Sequence, residues 1–223
     1  MADTSLLLLR IAICLLAGYL VGCFSTSYVI GKINHIDIRN YGSGNAGTTN
    51  AFRTLGKKAG IYTFIGDFFK AVIIILLVRF VFFRNAEYVK MLEVVCGFGC
   101  VLGHNFPVWL HFHGGKGIAV TGGVFATVDP LILPVGIPLF AILVLATKFV
   151  SVGSLAISIL FPVWLSLRFT GEPYYWIIVV VACLYTVSAF YQHRENIKRL
   201  MNGTENKIGQ HVNITEEDKS LKV

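Results

Sequence analysis

A lysine surrounded by glycines is the feature of this sequence that most directly suggests chemistry. Residues 105–117 read NFPVWLHFHGGKG, and they lie between two stretches apolar enough to cross a bilayer. Glycines let backbone amides approach a ligand closely, and the ammonium of Lys116 adds positive charge beside them. The segment therefore predicts a site for phosphate or another anion at a membrane surface, with Gly114, Gly115 and Gly117 around the lysine.

Two better-known kinds of site do not fit this segment. The ATP-binding P-loop has a glycine five residues before its Gly-Lys pair and a Ser or Thr after the lysine, whereas this chain has Leu110 and Gly117 there. Zinc is disfavoured because His111 and His113 point to different sides of a helix and no carboxylate lies nearby. The alternative to an anion site is a lysine that extends towards phospholipid head groups. We expect neither a metal nor another cofactor.

A second glycine-rich segment, residues 42–50, reads GSGNAGTTN and is followed by Arg53. It matches G-x-G-x-x-G, but a dinucleotide site needs a βαβ unit around that motif, and none surrounds it here. The glycines still expose amides, and residues 48–50 can cap a helix whose start favours anions. Arg53 is three residues past Asn50 and shares its helical face. The alternative is a flexible turn with ordinary N-capping, which would not need so many polar groups.

A third polar segment follows the last apolar stretch. His193 and Asn196 share a face if the helix continues, and the histidine could bind phosphate as a cation or act as a base. The alternative is a solvated helix with basic residues. Asp67 and Lys70, inside an apolar segment, can form an ion pair, for which a structural and a functional role are equally consistent with the sequence. Gly18-x-x-x-Gly22 predicts close helix packing.

The composition assigns these segments to an integral membrane protein. The 223 residues are 55% hydrophobic and only 14% charged, with a mean hydropathy of +0.70. Spans of about 20 residues leave no room for a separate soluble domain, so residues 1–223 are predicted to form a single polytopic membrane domain. The net charge of +7 does not indicate nucleic acid, which requires a basic face on a soluble fold. The five cysteines fall in apolar segments and are predicted to be packing residues.

Hydropathy predicts an all-α fold with about seven transmembrane helices. The predicted spans are 6–30, 61–83, 92–110, 117–128, 132–147, 149–168 and 174–191. Thirteen Lys and Arg residues of the loops fall on one side of this arrangement and three (Arg84, Lys90 and Arg168) on the other. The positive-inside rule then predicts an N-terminus outside, a C-terminus in the cytoplasm, and all three polar loops at the cytoplasmic boundary. The polar tail, about 203–223, is expected to be poorly ordered.

Taken together, these motifs make the chain similar to the PlsY family, acyl-phosphate:glycerol-3-phosphate acyltransferases of the bacterial cytoplasmic (inner) membrane. The matching stretches are GSGNAGTTN at 42–50 with Arg53, GHNFPVWLHFHGGKG at 103–117, HRENIKRLMNGTE at 193–205, and GDFFK at 66–70. Two departures are visible, because Gly22-Cys23-Phe24-Ser25 replaces a G-S-I-P-like stretch and Ala71 replaces a glycine.

The resemblance implies transfer of a fatty acyl group from acyl phosphate to the 1-hydroxyl of glycerol 3-phosphate. The products would be lysophosphatidic acid and phosphate, in the first acylation step of bacterial phospholipid biosynthesis. Neither acyl-CoA nor acyl carrier protein would be the direct donor, and membrane lipids would be the other partners. The sequence also lacks the H-x-x-x-x-D pattern of other acyltransferases, because none of its histidines has Asp at the fifth following position.

Matching motif positions give the candidate site residues. Those expected to be catalytic are Ser43, Arg53, Lys116, His193 and Asn196. Those expected to bind substrate or phosphate are Gly44, Asn45, Gly47, Thr49, Asn50, Gly114, Gly115 and Gly117. No Ser-His-Asp arrangement can be found, so direct attack on the donor is expected, with the hydroxyl proton passing to a substrate phosphate rather than to His193. An anion transporter or a non-catalytic lipid-binding protein are the alternatives.

Overall fold

The computed structural model describes residues 4–212, and within that range the chain forms ten α-helices. They are α1 (Thr4–Gly22), α2 (Thr26–Ile33), α3 (Thr48–Thr54), α4 (Gly56–Leu77), α5 (Val89–Asn105), α6 (Ile118–Val128), α7 (Leu133–Thr147), α8 (Val150–Arg168), α9 (Tyr175–Gln192) and α10 (Arg194–Met201). A π-helical turn, Val78–Phe82, extends α4. The predicted all-α fold is confirmed. The part of the predicted tail at 213–223 lies outside the described residues.

Six segments of the described chain are long and apolar enough to cross a membrane. They are Thr4–Ile33, Gly56–Phe82, Val89–Leu110, Pro130–Thr147, Val150–Arg168 and Tyr175–Gln192. The predicted crossing at 117–128 differs, because α6 has only 11 residues. At 1.5 Å per residue it covers about 16 Å, roughly half of the hydrocarbon core. The protein is thus an integral membrane protein with six candidate spans and one shorter apolar helix.

The first predicted span, 6–30, contains a break that the sequence did not indicate. Helix α1 ends at Gly22 and α2 begins at Thr26. Ser25 caps α2, since its hydroxyl oxygen accepts a hydrogen bond from the Tyr28 amide at 3.4 Å. Hydropathy could not reveal the break because the residues around it are apolar on both sides.

Glycines bring α1 and α5 into direct backbone contact. A Cβ added at Gly18 would lie 2.0 Å from the Cys96 carbonyl oxygen, and one at Gly103 would lie 2.0 Å from the Tyr19 carbonyl oxygen. No side chain larger than hydrogen fits at either position. The packing role predicted for the Gly18-x-x-x-Gly22 pair is confirmed. Its counterpart on α5, which has the same spacing, includes Gly103.

The short helix α6 is held at its far end by cations from neighbouring elements. Lys90 Nζ donates to the Val128 carbonyl oxygen at 2.9 Å, and Arg79 donates to the Thr127 carbonyl oxygen. Arg79 Nε also pairs at 2.6 Å with the fully buried carboxylate of Glu93. These cations satisfy carbonyl groups at the end of the helix, which have no partner within the helix itself.

Long-range hydrogen bonds tie residues 203–212 to other parts of the chain, where a poorly ordered tail was expected. The Ile208 amide donates to the Lys148 carbonyl oxygen at 2.8 Å, and the Val212 amide donates to the Arg53 carbonyl oxygen at 3.0 Å. Glu205 is buried. Long-range hydrogen bonds of this kind leave no signal in the polar composition of the segment.

Candidate active site

The three polar loops meet at one end of the helices. The Ala46 amide of the first loop donates to the Gly114 carbonyl oxygen of the second at 3.3 Å. Lys116 of the second loop donates to Oδ1 of Asn196 in α10. Segments far apart in the sequence therefore form one connected site, as the sequence analysis expected.

Asn50 holds the first loop together. Its Oδ1 accepts from the Ser43 amide at 2.9 Å, and its Nδ2 donates to the carbonyl oxygens of Ile38 (3.1 Å) and Tyr41 (3.0 Å). The side chain is 1% exposed. Because these contacts occupy both ends of the amide, the structure gives Asn50 a role in shaping the loop, where the sequence suggested a ligand contact.

The other candidate residues of the first loop differ in exposure. Ser43 and Asn45 are half-buried, Gly44 and Thr49 are exposed, and Gly47 is buried. Gly47 occupies the N-cap position of α3 without a side-chain hydrogen bond. The loop can therefore offer Ser43, Asn45 and Thr49 to a ligand while its buried residues support it.

Arg53 is half-buried and incompletely paired. Its Nε is buried and has no hydrogen-bond partner among residues 4–212. Burial lowers the pKa of the guanidinium, Glu205 opposes that shift, and the charge of Arg199 adds to it. An unpartnered buried donor costs free energy, and an anion bound beside Arg53 would satisfy it.

Lys116 occupies a distinctive electrostatic position. Burial, reinforced by the charges of Arg199 and Arg53, lowers its pKa from 10.5 to about 8, although Glu205 acts in the opposite direction. Gly117 follows in the left-handed region (φ +75°) and caps α6. A side chain there would strain the backbone, so glycine permits the sharp entry of the chain into the helix.

His193 is buried at the junction of α9 and α10. Its Nδ1 lies 2.8 Å from the Ala189 carbonyl oxygen, an acceptor, so Nδ1 carries the hydrogen. Burial lowers the pKa of the ring to about 4, and the charge of Lys116 contributes to the shift. The imidazole is consequently neutral near pH 7, and Nε2 is an acceptor.

Glu205 is a central site residue to which the sequence analysis assigned no role. Its carboxylate accepts from Asn196 Nδ2 at 2.6 Å, from Arg199 Nε at 2.9 Å and from the Ser151 hydroxyl at 3.1 Å. It thus orients Asn196, which in turn contacts Lys116. Its signals in the sequence were its place at the end of a basic segment and of the family-like stretch 193–205.

Gln192 is a second residue that the sequence analysis did not use. Its Nε2 donates to the carbonyl oxygens of Asn105 at 3.3 Å and Gly115 at 3.2 Å. This side chain joins the last long helix to the glycines before Lys116. The mutual arrangement of the second and third loops therefore depends on it.

The site carries more positive than negative charge. Arg53, Lys116 and Arg199 interact electrostatically with one another and share the buried carboxylate of Glu205. The fold and the loops therefore define a class: an all-helical integral membrane protein with a recessed cluster of cations where its polar loops converge.

Comparisons with known proteins identify the family within that class. A family model described as Glycerol-3-phosphate acyltransferase matches residues 12–203. Among curated relatives, the glycerol-3-phosphate acyltransferase of Thermoanaerobacter pseudethanolicus is 40% identical over 198 residues, covering 88% of this chain and 95% of the relative. That of Clostridioides difficile is 42% identical over 198 residues, covering 86% and 93%.

Two solved structures of PlsY, an integral membrane glycerol 3-phosphate acyltransferase, are also similar. The glycerol 3-phosphate form is 33% identical with a TM-score of 0.78, covering 89% of this chain and 96% of that one. The lysophosphatidic acid form is 32% identical with a TM-score of 0.76, covering 89% and 95%. The chain belongs to the PlsY family of glycerol-3-phosphate acyltransferases, integral membrane enzymes of phospholipid synthesis. The resemblance found in the sequence is confirmed, whereas the roles of individual site residues stay predictions.

Proposed function

We propose that this protein transfers a fatty acyl group from acyl phosphate to the 1-hydroxyl of glycerol 3-phosphate, in the first acylation step of bacterial phospholipid synthesis. The observation that carries the proposal is the cluster of Arg53, Lys116 and Arg199 around one carboxylate. Acyl phosphate and glycerol 3-phosphate are both anions, and a recessed cluster with surplus positive charge suits two such ligands. The structural relatives add support, since their descriptions name the acceptor and the product.

Each candidate residue has a role in this proposal. Lys116 and Arg53 bind phosphate oxygens, and Asn196 orients Lys116. Ser43, Asn45, Thr49 and the Gly117 amide complete the polar lining. The amides of the other four glycines predicted to bind phosphate already donate to carbonyl oxygens of the protein, so these glycines shape the loops instead: Gly44, Gly47, Gly114 and Gly115. Asn50 shapes the first loop through its contacts with the backbone. His193 accepts a hydrogen bond from the glycerol moiety through Nε2.

The acyl group moves in one step, without an acyl-enzyme. Residues 4–212 contain two buried histidines. His193 Nδ1 lies beside the Ala189 carbonyl oxygen and His104 Nδ1 lies beside the Lys70 ammonium, so neither Nδ1 contacts a hydroxyl or thiol nucleophile. The 1-hydroxyl oxygen attacks the carbonyl carbon of the donor, and the carbon–oxygen bond to phosphate breaks. Alignment of two reactants and stabilisation of the departing charge are the main tasks of the protein.

The hydroxyl proton passes to a substrate phosphate oxygen. Burial and the charge of Lys116 lower the pKa of His193 to about 4, which makes the ring a weak base. A substrate phosphate carries oxygens that can accept the proton without a protein base. The surplus positive charge also keeps phosphate oxygens close to the attacking hydroxyl.

The location follows from charge and hydropathy. We propose a bacterial cytoplasmic membrane protein with α6 as a seventh, short crossing, the N-terminus outside and the site facing the cytoplasm. The excess of Lys and Arg in the loops that form the site supports this orientation. The acyl chain lies between helices and enters from the bilayer.

A donor-exchange assay tests the proposal. Purified protein in lipid nanodiscs receives labelled glycerol 3-phosphate with acyl phosphate, acyl-CoA or acyl carrier protein loaded with the same chain. We expect lysophosphatidic acid with acyl phosphate alone, and one phosphate released per product. Arg53→Ala should reduce the rate at least about 100-fold. Arg84→Ala, an exposed arginine at the opposite end of the helices, is the matched control. Equal product from acyl-CoA would reject the proposed donor.

A further inference from the structure

The break between α1 and α2 leaves three consecutive carbonyl groups that side chains from other elements occupy. Lys70 Nζ of α4 donates to the carbonyl oxygens of Gly22 at 3.0 Å and Phe24 at 2.6 Å. Trp109, which follows α5, donates its Nε1 hydrogen to the Cys23 carbonyl oxygen at 3.1 Å. Both α4 and the second polar loop are thereby tied to the same break.

Lys70 also joins two buried side chains. Its Nζ lies 3.1 Å from Asp67 Oδ1 and 3.0 Å from His104 Nδ1. An ammonium group has three hydrogens and can only donate, so these two contacts and the two carbonyl groups share three donors. When Lys70 donates to the ring, Nδ1 is the acceptor and the ring carries its hydrogen on Nε2. The three residues are 1%, 7% and 3% exposed in the order Asp67, Lys70 and His104. Lys70 therefore favours one orientation and one tautomer of the histidine.

The opposite edge of the His104 ring supports the glycines before Lys116. A Cβ added at Gly115 would lie 1.9 Å from His104 Nε2. The Gly115 amide donates to the His104 carbonyl oxygen at 2.9 Å, and the Gly114 amide donates to the Asn105 carbonyl oxygen at 3.2 Å. The path of the chain into Lys116 thus follows the surface of a ring that Lys70 holds in place.

We propose that Asp67, Lys70 and His104 form a buried positioning cluster for the acyl transfer. Asp67 orients Lys70, Lys70 orients His104, and His104 sets the place of Gly115 and hence of Lys116 relative to the phosphate of glycerol 3-phosphate. The inference rests on the proposed function in that Lys116 is taken to bind this phosphate. The cluster acts through Lys116 and the loop glycines, so its members are positioning residues.

Gly115 provides a sensitive probe of this support. Its backbone is outside the left-handed region, so alanine is compatible with its conformation. The three atoms that the added methyl group would approach most closely all belong to the His104 ring, at 1.9, 2.7 and 2.8 Å. While Lys70 holds the His104 ring in place, the loop around Gly115 must shift to make room for the methyl group. Once Lys70 is removed, the ring can turn away from the methyl group.

A double-mutant cycle between Lys70 and Gly115 tests the proposal. The proposal couples these two residues through His104, without direct contact between them. The measurement is calorimetric binding of glycerol 3-phosphate to full-length protein, which requires no donor. We expect Gly115→Ala to weaken binding about tenfold in the wild-type background and less than about threefold in the Lys70→Met background. Gly171→Ala, where an added methyl meets nothing within 4 Å, should combine additively with Lys70→Met.

A second pair of variants keeps the test decisive if Lys70→Met does not fold. In His104→Asn, Oδ1 can still accept from Lys70, and the shorter side chain vacates the space beside Gly115. His104→Asn combined with Gly115→Ala should bind more tightly than Gly115→Ala alone. The proposal is overturned if Gly115→Ala costs the same factor in the wild-type background and in whichever partner background folds.

The outcome separates the cluster from the proposed function. If wild-type protein binds glycerol 3-phosphate but makes no lysophosphatidic acid from acyl phosphate, the proposed donor is wrong. The double-mutant cycle can still be measured, because it depends only on glycerol 3-phosphate binding. Unchanged glycerol 3-phosphate binding by Lys116→Ala would reject the role of Lys116. In that case the proposal that the cluster acts through Lys116 fails as well.

Discussion

Lys116 shows how the fold changes the chemistry of a single residue. Its pKa falls from 10.5 to about 8, mainly because of burial. The unfolded chain therefore releases this proton near 10.5 and the folded chain near 8. Below pH 8 the folded state bears the cost of a buried ammonium group, and that cost disappears as the pH rises from about 8 to 10.5. A bound phosphate would offset the same cost.

A pH profile should report the ammonium form of Lys116. We expect kcat/KM for glycerol 3-phosphate to fall about tenfold per pH unit once the pH exceeds about 8, because the neutral amine binds phosphate poorly. Lys116→Arg keeps its charge throughout, so its profile should lack this limb even where its rate at pH 7 is lower. An arginine variant with the same limb near pH 8 would assign the limb to another group.

The neutral state of His193 leads to a different expectation. Substitution by glutamine should remove the hydrogen bond that His193 accepts from glycerol 3-phosphate. KM for glycerol 3-phosphate should then rise about tenfold. The pH dependence of kcat should stay unchanged, since the proton goes to phosphate. Steady-state kinetics from pH 5 to 9 provide the measurement. Near-normal binding with abolished turnover and loss of a pH-dependent limb would instead make His193 the base.

Among the elements, the α1–α5 pair depends most on the absence of side chains. Gly18→Ala and Gly103→Ala would each place a methyl group about 2.0 Å from a backbone carbonyl oxygen. We expect each to lower the free energy of unfolding by about 1–3 kcal/mol, because the helices must separate. Thermal unfolding in detergent measures the effect. Gly136→Ala, whose methyl would meet Leu160 at 3.6 Å, should be nearly neutral, and an equal loss there would contradict the explanation.

Hydropathy predicted most helices to within a few residues, because a membrane requires long apolar segments. It placed the start of α4 five residues late, at 61 rather than Gly56, and it did not show the break after α1. The break depends on polar groups whose partners are distant in the sequence. The Gly22 carbonyl oxygen, for example, is satisfied by Lys70. The second glycine pair was readable in principle, since Gly99 and Gly103 have the same spacing as Gly18 and Gly22.

For the molecule as a whole, the sequence indicated that three loops converge but not how they are joined. Motif positions and charge predicted Arg53, Lys116 and His193 near one another. The links between them run through Glu205, Ser151 and Gln192, whose neighbours in the chain give no hint of the contacts. Residues 203–212 were expected to be poorly ordered because polarity was the only available signal. Their long-range hydrogen bonds were the missing information.

Labelling from either side of the membrane tests the proposed orientation. The background carries Cys183→Ala, because the other native cysteines are buried. Single cysteines at Asn40 and His113 should react with an impermeant maleimide only after the cells are permeabilised. Cysteines at Asn85 and Glu172 should react in intact cells. Reaction of Asn40 and His113 variants from opposite faces would contradict both the orientation and the shared site.

The shortness of α6 also has a consequence for the proposed acyl transfer. Helix α6 covers about 16 Å, and its N-terminal glycine, Gly117, lies beside Val101 and Asn105, before the neighbouring span ends at Leu110. In the proposed orientation, this places Lys116 close to the edge of the bilayer. Under the proposed function, the hydrocarbon tail of the donor can then stay in the lipid while its phosphate end reaches the lysine. Glycerol 3-phosphate would enter from the aqueous phase, and the lysophosphatidic acid formed would remain in the bilayer.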